Sequence, residues 1–466
     1  MTPATVARFM AALFPPSDRK ACCLLDPGAG MGSLTMAFLE RYGKSGLGFD
    51  EISTVAFEID GALRAELERN LANYAKEPSV LCAVHPSDFI EAATESLTGD
   101  MFGQALPVFT HAILNPPYKK INSNSRHREL LRRAGIETVN LYSAFVALAL
   151  AMLGPGGHLV AIIPRSFCNG PYYRPFREFV LDKAAIRRVH LFDARDKAFK
   201  KDGVLQENVI VHLERGAEQG TVIVSTSTDD RFHDCVVHAH PFDEIVLPGD
   251  PAHFVHIPTA QPDSTIPLPP AFKYSLDDLD IQVSTGPVVD FRARGHIRQM
   301  PQKGTVPLLY PCHFGSGRLE WPKPKARKPN AILRNEETER LLYPIGSYTV
   351  VRRFSAKEER RRIVAGVVCP SVLDAQVIGF ENHLNVFHNH RHGLPEQLAW
   401  GLSAFLNSTA VDNAFRRFNG HTQVNATDLR AMKYPDRDTL IRLGRWAMSR
   451  KGLTQGAIDK KLGNLP

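Results

Sequence analysis

Apolar and polar positions along the first half of the chain follow two periods. Val6, Phe9, Met10 and Leu13 recur at helical spacing, which predicts a helix over residues 3–14 with Thr2 as its cap and Pro3 in its first turn. A short apolar run over 21–25 predicts a strand, followed by a glycine-rich turn and a helix over 33–41. Further strands are predicted over 54–59, 79–84, 111–114, 159–163, 186–192 and 208–213. Helices are predicted over 62–75, with Leu63, Leu67 and Leu71 on one face, and over 140–153. The alternation predicts an α/β fold, a doubly wound parallel sheet. Such sheets hold ligands at the carboxyl ends of their strands.

The pattern changes after residue 240. Eight prolines between Pro241 and Pro270 predict an extended connector. Short strands and turns follow to residue 392, then a helix over 395–418. The predicted organisation is a first domain over 1–245, a Pro-rich connector over 246–274, a mixed α+β domain over 275–435 and a basic helical tail over 436–466. The longest apolar stretch, 141–153, contains Tyr142 and Ser143 and ends at Gly154-Pro155-Gly156-Gly157. It is too short to span a bilayer, and no membrane partner is expected.

Composition narrows the class. A chain of 466 residues with 44% hydrophobic and 23% charged residues has the make-up of a globular protein of more than one domain. Its net charge of +7 suits a polyanionic partner, more so because the basic residues cluster. The seven cysteines are scattered and form no CxxC pair, which argues against a zinc site and a disulfide framework. A reducing, cytoplasmic interior is the expected compartment, no secretory leader is read, and no metal is expected.

Two motifs carry the chemistry. The first, Asp26-Pro27-Gly28-Ala29-Gly30-Met31-Gly32-Ser33, follows the 21–25 run. Small residues there let the chain turn sharply from strand to helix and bring backbone close to a ligand. No Lys-Ser/Thr follows, which sets the turn apart from a phosphate-binding P-loop. Glu58 ends the next apolar run and suits the two hydroxyls of a ribose, with Asp60 as the alternative. Asp88 suits an adenine amino group, and Phe89 or Ile59 a ring face. For Glu58 and Asp88 the competing reading is a helix cap.

The second motif is Asn115-Pro116-Pro117-Tyr118, after the 111–114 run. An exocyclic amine on an aromatic ring is a poor nucleophile because its lone pair is delocalised. An Asn side-chain oxygen and a backbone carbonyl, here Asn115 and Pro116, can accept its two hydrogens and aim it at an electrophilic methyl. Prolines stiffen that backbone, and Tyr118 offers a stacking face. Catalysis then rests on orientation and electrostatic placement. Together the motifs predict transfer of a methyl group from S-adenosyl-L-methionine to an exocyclic nitrogen, N6 of adenine in DNA. Such a nitrogen is inaccessible inside a duplex, so the base is expected to flip out. Phe199 is the candidate for a second aromatic wall.

These residues, in this order, resemble the N6-adenine DNA methyltransferases of bacterial type II restriction–modification systems in which the cofactor turn precedes NPPY and a target-recognition domain follows. The resemblance implies a class I S-adenosylmethionine-dependent methyltransferase sheet with a C-terminal DNA-recognition domain. It also implies contact of Thr2 with the methionine part of the cofactor, and a base pocket lined by residues 161–167. Residues 351–359 and 418–425 resemble recognition-domain segments of one subgroup. Partners implied are double-stranded DNA and a separately encoded restriction endonuclease, for a monomeric enzyme associated with the bacterial nucleoid.

In the second half, Arg352, Arg353, Lys357, Arg360, Arg361 and Arg362 form one basic run, and Lys323, Lys325, Arg327 and Lys328 another. They are read as contacts to phosphates and bases, with His421, Thr422, Gln423 and Asn425 as further base readers. A solvated face balanced by Glu358 and Glu359 is the competing reading. His388-Asn389-His390 spells a nuclease motif, but its consecutive residues do not suit the separated positions that a metal-holding unit requires. Two rival activities remain open from sequence: methylation of an RNA base and of a protein glutamine at N5.

Overall fold

The computed structural model describes residues 2–44, 46–99, 105–192, 207–258, 272–315, 318–355, 359–418, 423–450 and 452–464. The chain separates into two compact units, Met1–Ala260 and Gln261–Pro466.

In the first unit, strands β1 (Ala21–Pro27), β2 (Glu51–Phe57), β3 (Val80–His85), β4 (Phe109–Leu114), β5 (Leu153–Pro164), β6 (Ala184–Phe192), β7 (Asn208–Arg215), β8 (Thr221–Ser227) and β9 (Val236–Pro241) form one sheet. Its order is β3-β2-β1-β4-β5-β7-β6-β8-β9. Successive strand residues enter opposite layers. Leu25, Ala112, Leu114, Leu159 and Ala161 pack with helices α4 (Phe89–Thr98), α5 (Arg126–Arg133), α6 (Leu141–Met152) and α7 (Arg174–Lys183). Leu24, Ile113, Val160 and Ile162 pack with α1 (Ala4–Ala12), α2 (Ser33–Gly43) and α3 (Gly61–Ala72). With both faces covered, the central strands read as unbroken apolar runs.

Three features depart from the sequence expectation. The sheet is not parallel throughout: β7 is antiparallel to both β5 and β6. A strand buried on both faces carries no mark of its direction. Thr2 does not cap α1; Pro3 holds the cap position and no side chain bonds the helix end. The predicted helix over 395–418 is two helices, α8 (Glu396–Leu406) and α9 (Thr409–Phe418), parted at Asn407. The Asn407 side chain leaves the helical path and exchanges hydrogen bonds with the Ala365 backbone (2.9 and 3.1 Å).

The second unit holds two sheets. One has the order β10 (Gln282–Thr285), β18 (Leu384–His388), β15 (Tyr348–Arg352), β16 (Ala365–Val368). The other runs β11 (Ile297–Arg298), β13 (Ala331–Leu333), β12 (Thr305–Leu309), β17 (Val377–Phe380), β14 (Leu342–Pro344). The C-terminal residues pack into this unit's core through α11 (Arg437–Met448) and α12 (Gln455–Gly463), which bury Leu440, Leu443, Ala447, Ile458 and Leu462. α11 crosses α8 at Gly401 and Gly444. A Cβ on Gly444 would stand 1.7 Å from the Gln397 carbonyl oxygen, so the two backbones touch and no other residue fits.

Candidate active site

β1 and β4 lie side by side, Leu24 opposite His111, and the helices that follow them cover opposite faces of the sheet. This reversal opens a crevice at the carboxyl ends of the strands. A cleft of about 370 Å³ occupies it, within the range of small-molecule sites.

The glycine turn forms one wall. Gly28 and Ala29 both donate backbone N–H to the Phe57 carbonyl (2.9 Å each), tying the turn to the end of β2. Gly30 donates its N–H to Glu58 Oε2 (2.8 Å) at φ +58°, and Gly32 starts α2 at φ +84°. A Cβ on Gly32 would meet Leu67 Cδ1 at 2.6 Å, so packing against α3 as well as the left-handed backbone demands glycine there.

Glu58 directly follows β2 and lines the cleft, with Oε1 accepting the Asp60 N–H (2.8 Å). Each carboxylate oxygen keeps acceptor capacity beyond its one backbone bond. Asp60 instead caps α3, accepting from the N–H groups of Ala62 (2.9 Å) and Leu63 (3.1 Å). Of the two acids, Glu58 is therefore the one that lines the cleft. Ile59 lines the same cleft and is 66% exposed, an open apolar face beside polar groups. Phe89 also lines it but is buried, edge-on to Phe57 (5.3 Å). Asp88 does two jobs: Oδ1 caps α4 through Ile90 (2.8 Å) and Glu91 (3.2 Å), while Oδ2 meets His127 Nε2 at 3.2 Å.

Asp26, read from sequence as a ligand group, does not line the cleft. It is buried beneath the turn, where Thr35 Oγ1 donates to Oδ2 (2.6 Å), and burial pushes its carboxyl up to about 7. Pro27 and Gly32 also stand outside the lining, while Gly28 and Gly30 belong to it. Sequence reading missed Leu34, Phe57, Leu63, Ser87 and Phe145. Ser87 carries a signal, since it precedes Asp88 at the mouth of β3. Phe145 carries none: it is one apolar residue in an apolar helix.

On the opposite wall, Asn115 and Pro117 line the cleft. The Asn115 side chain is held at both ends. Its Nδ2 donates to Thr2 Oγ1 (3.0 Å), and its Oδ1 accepts from the Tyr118 hydroxyl (3.1 Å). That hydroxyl also lies 3.3 Å from the Ile162 carbonyl. Pro116 is buried, and among the described residues no donor reaches its carbonyl. The Tyr118 ring is half-buried against the core, edge-on to Tyr142 (6.2 Å). Phe199 lies outside the described residues. Within the 161–167 segment, Arg165 is buried and paired with Glu207 (2.8 Å).

In the second unit, the two segments singled out from sequence meet. Val424 donates its N–H to the Arg353 carbonyl (2.7 Å), and Arg353 Nη2 lies 3.3 Å from Gln423 Oε1. Arg352 pairs with Glu359. Arg361 is half-buried and bonds Asn407 Oδ1 (3.1 Å), and Asn425 caps α10 (Ala426–Ala431) in a capping box with Asp428. Arg362 is fully buried between Ser355 (3.2 Å) and the Phe415 ring. The basic run is thus not one exposed face, and the expectation of phosphate contact fails for Arg362. Lys357, His421 and Thr422 lie outside the described residues. His388 ends β18 and its ring bonds Ser284 (2.7 Å), and no cluster able to hold a metal occurs among the described residues.

Residues 107–199, which include Asn115–Tyr118, match the family model of the Eco57I restriction-modification methylase. The type II methyltransferase M.BsuBI of Bacillus subtilis is 52% identical over 467 residues, covering 100% of this chain and 93% of that one. The chain belongs to the adenine-specific DNA methyltransferases of type II restriction–modification systems. The type II methyltransferase M.PstI of Providencia stuartii is 45% identical, over 90% of this chain and 83% of that one. Two solved protein–DNA complexes share the fold. DrdV has a TM-score of 0.54 at 12% identity (96% of this chain, 56% of that one), and the type IIL enzyme MmeI 0.50 at 10% (94% and 62%). As a member of this family the chain methylates N6 of adenine in DNA with S-adenosylmethionine as methyl donor.

Proposed function

We propose that the cleft residues divide the reaction as follows. The glycine turn, Glu58 and Asp88 bind the cofactor, with Glu58 accepting the ribose hydroxyls, Asp88 Oδ2 the adenine amino group, and Ile59 covering a ring face. The fit rests on the free acceptor capacity of Glu58 and on the exposed Ile59 beside it. S-adenosylmethionine supplies an electrophilic methyl on a sulfonium. Asn115 Oδ1 and the Pro116 carbonyl accept the two N6 hydrogens of the flipped adenine and turn its lone pair toward that methyl. The base's proton leaves after transfer, so no strong general base is assigned.

The carrying observation is the doubly held Asn115 amide. Thr2 fixes its nitrogen, so its oxygen has one orientation, and Tyr118 occupies one side of that oxygen. Thr2 thereby serves as a positioning residue. Asp26 holds the start of α2 through Thr35 and takes no part in binding. In the second unit the Arg353–Gln423 pair is the base-reading edge, while Arg361 and Asn425 hold the fold.

The enzyme acts as a monomer in the bacterial cytoplasm, one chain carrying both cleft and recognition unit. A separately encoded endonuclease is its functional partner, consistent with methyltransferase relatives that account for nearly the full chain. Expression in a host lacking adenine methylation, followed by base-resolved sequencing, tests the reading. N6-methyladenine confined to one short motif is expected. An unmodified genome from a protein that binds S-adenosylmethionine would move the activity to an RNA base or a protein glutamine.

A further inference from the structure

Residues 119–133 carry charge that the methyl-transfer reading leaves unused. They include Lys119, Lys120, Arg126, Arg128, Arg132 and Arg133 against one acid, Glu129. Three of the cations are committed within the fold: Arg126 to Glu91 (2.9 Å), and Arg128 and Arg132 to Glu137. Lys119 and Lys120 have no ion-pair partner among the described residues, and both are exposed.

The two lysines are also fixed in place. Lys120 bridges Asn140 in antiparallel fashion, Ile121 donates its N–H to the Val139 carbonyl (2.8 Å), and Leu141 donates to the Lys119 carbonyl (2.8 Å). Ile121 is buried in the core, which anchors the segment from below. Lys119 follows Tyr118 directly, so the Cα atoms of the two stand about 3.8 Å apart. The lysine pair therefore forms a rim on anchored backbone beside Asn115–Tyr118.

We propose that Lys119 and Lys120 bind the phosphate backbone of the DNA strand that carries the target adenine, next to the flipped nucleotide. The inference rests on the DNA-methylating function above. Three of the four α5 arginines are paired, with Glu91 and Glu137; among the described residues neither lysine of the rim is. A nucleotide entering beside Pro117 brings its flanking phosphates with it, and uncompensated cations at that entrance neutralise them without reading sequence. The rim lies in the first unit, so it separates holding the strand from recognising the site. Everting a base costs stacking and pairing, and cations at the entrance favour the everted strand.

The test is the salt dependence of binding. The full chain and its Lys119→Gln/Lys120→Gln variant, both saturated with S-adenosylhomocysteine, are titrated with a short duplex carrying the motif found by methylation mapping, across a range of salt. Each phosphate contact contributes about 0.9 to the slope of log K against log salt. The variant is expected to lose about 1.8 from that slope, while cofactor affinity and preference for the motif over a scrambled duplex stay as in the parent. A Lys460→Gln/Lys461→Gln control is expected to keep the parental slope. An unchanged slope in a folded variant overturns the proposal, and so does a loss of motif preference, which would make the lysines base readers. If the parent neither methylates nor binds DNA, the functional reading itself fails rather than the rim.

Discussion

The two units put their polar side chains to different uses. In the first, the polar groups at the ends of β1, β2 and β4 hold one another and face an open cleft: Glu58 keeps free lone pairs, and Asn115 is braced by Thr2 and Tyr118. In the second, much of the basic run between 352 and 362 is turned inward. Arg352 meets Glu359, Arg361 meets Asn407, and Arg362 is buried whole. Charge counted along a sequence is therefore not charge offered to a partner. Among the described residues, exposed cations without an ion pair lie elsewhere, Lys119 and Lys120 included.

The largest effect that sharpens the contrast concerns the first unit's interior. His111 and His212 lie within its sheet beside His158, and His190 lies further along it; burial lowers His111, His190 and His212 to about 3. Their folded values lie below the ordinary 6.5, so between pH 6.5 and 3 the unfolded chain binds more protons. Stability is present above pH 6.5 and is lost as pH falls, by about 1.4 kcal/mol per pH unit for each histidine. Denaturant melts at stepped pH, followed by a probe in the first unit, should show this loss. A flat profile between pH 6.5 and 4 would contradict the buried neutral histidines.

The next effect separates Arg362 from Arg353. Arg362→Ala removes a buried side chain and strands its acceptors, at a cost of about 3 kcal/mol to the second unit. Arg353→Ala should leave stability nearly unchanged but weaken the preferred site against a scrambled one by about 1–3 kcal/mol. Thermal melts and competitive DNA binding separate the two, and equal behaviour of the variants would erase the distinction. A smaller effect is expected at Thr2. Thr2→Val frees the Asn115 amide to rotate, which should lower kcat about tenfold, the cost of roughly one hydrogen bond. Thr2→Ser should restore it. A rise in KM for S-adenosylmethionine with kcat unchanged would instead make Thr2 a cofactor contact only.

Legibility in the sequence followed the same division. The glycine turn and NPPY were readable because each combines rare residue types whose order is fixed by the strand they follow. The apolar runs located the central strands, but β7's direction was invisible because both its faces are covered. Helices α4, α5 and α7 went unread: six of the eight residues of α5 are polar, with Leu130 and Leu131 its buried residues. The sequence placed Asp26 in the ligand site because it begins the motif, yet its burial beneath Thr35 depends on α2's approach, a tertiary fact. Likewise Glu58 was chosen by its place at the strand end, with Asp60 two residues on as the alternative. The cap of α3 claimed one and left the other to the cleft. In the second unit nothing local distinguished Arg353 from Arg362, since burial is decided by Asp412 and Phe415, some fifty residues away.

The central claim is that a braced Asn115 amide presents the adenine amine to the methyl group. It is tested most directly by single-turnover methylation with Asn115→Ala, alongside calorimetric titration with S-adenosylmethionine. Cofactor affinity should stay within a few fold while the transfer rate falls by about a thousandfold or more, the loss of an interaction made in the transition state. Transfer at a rate near that of the parent, with the cofactor bound, would contradict the account.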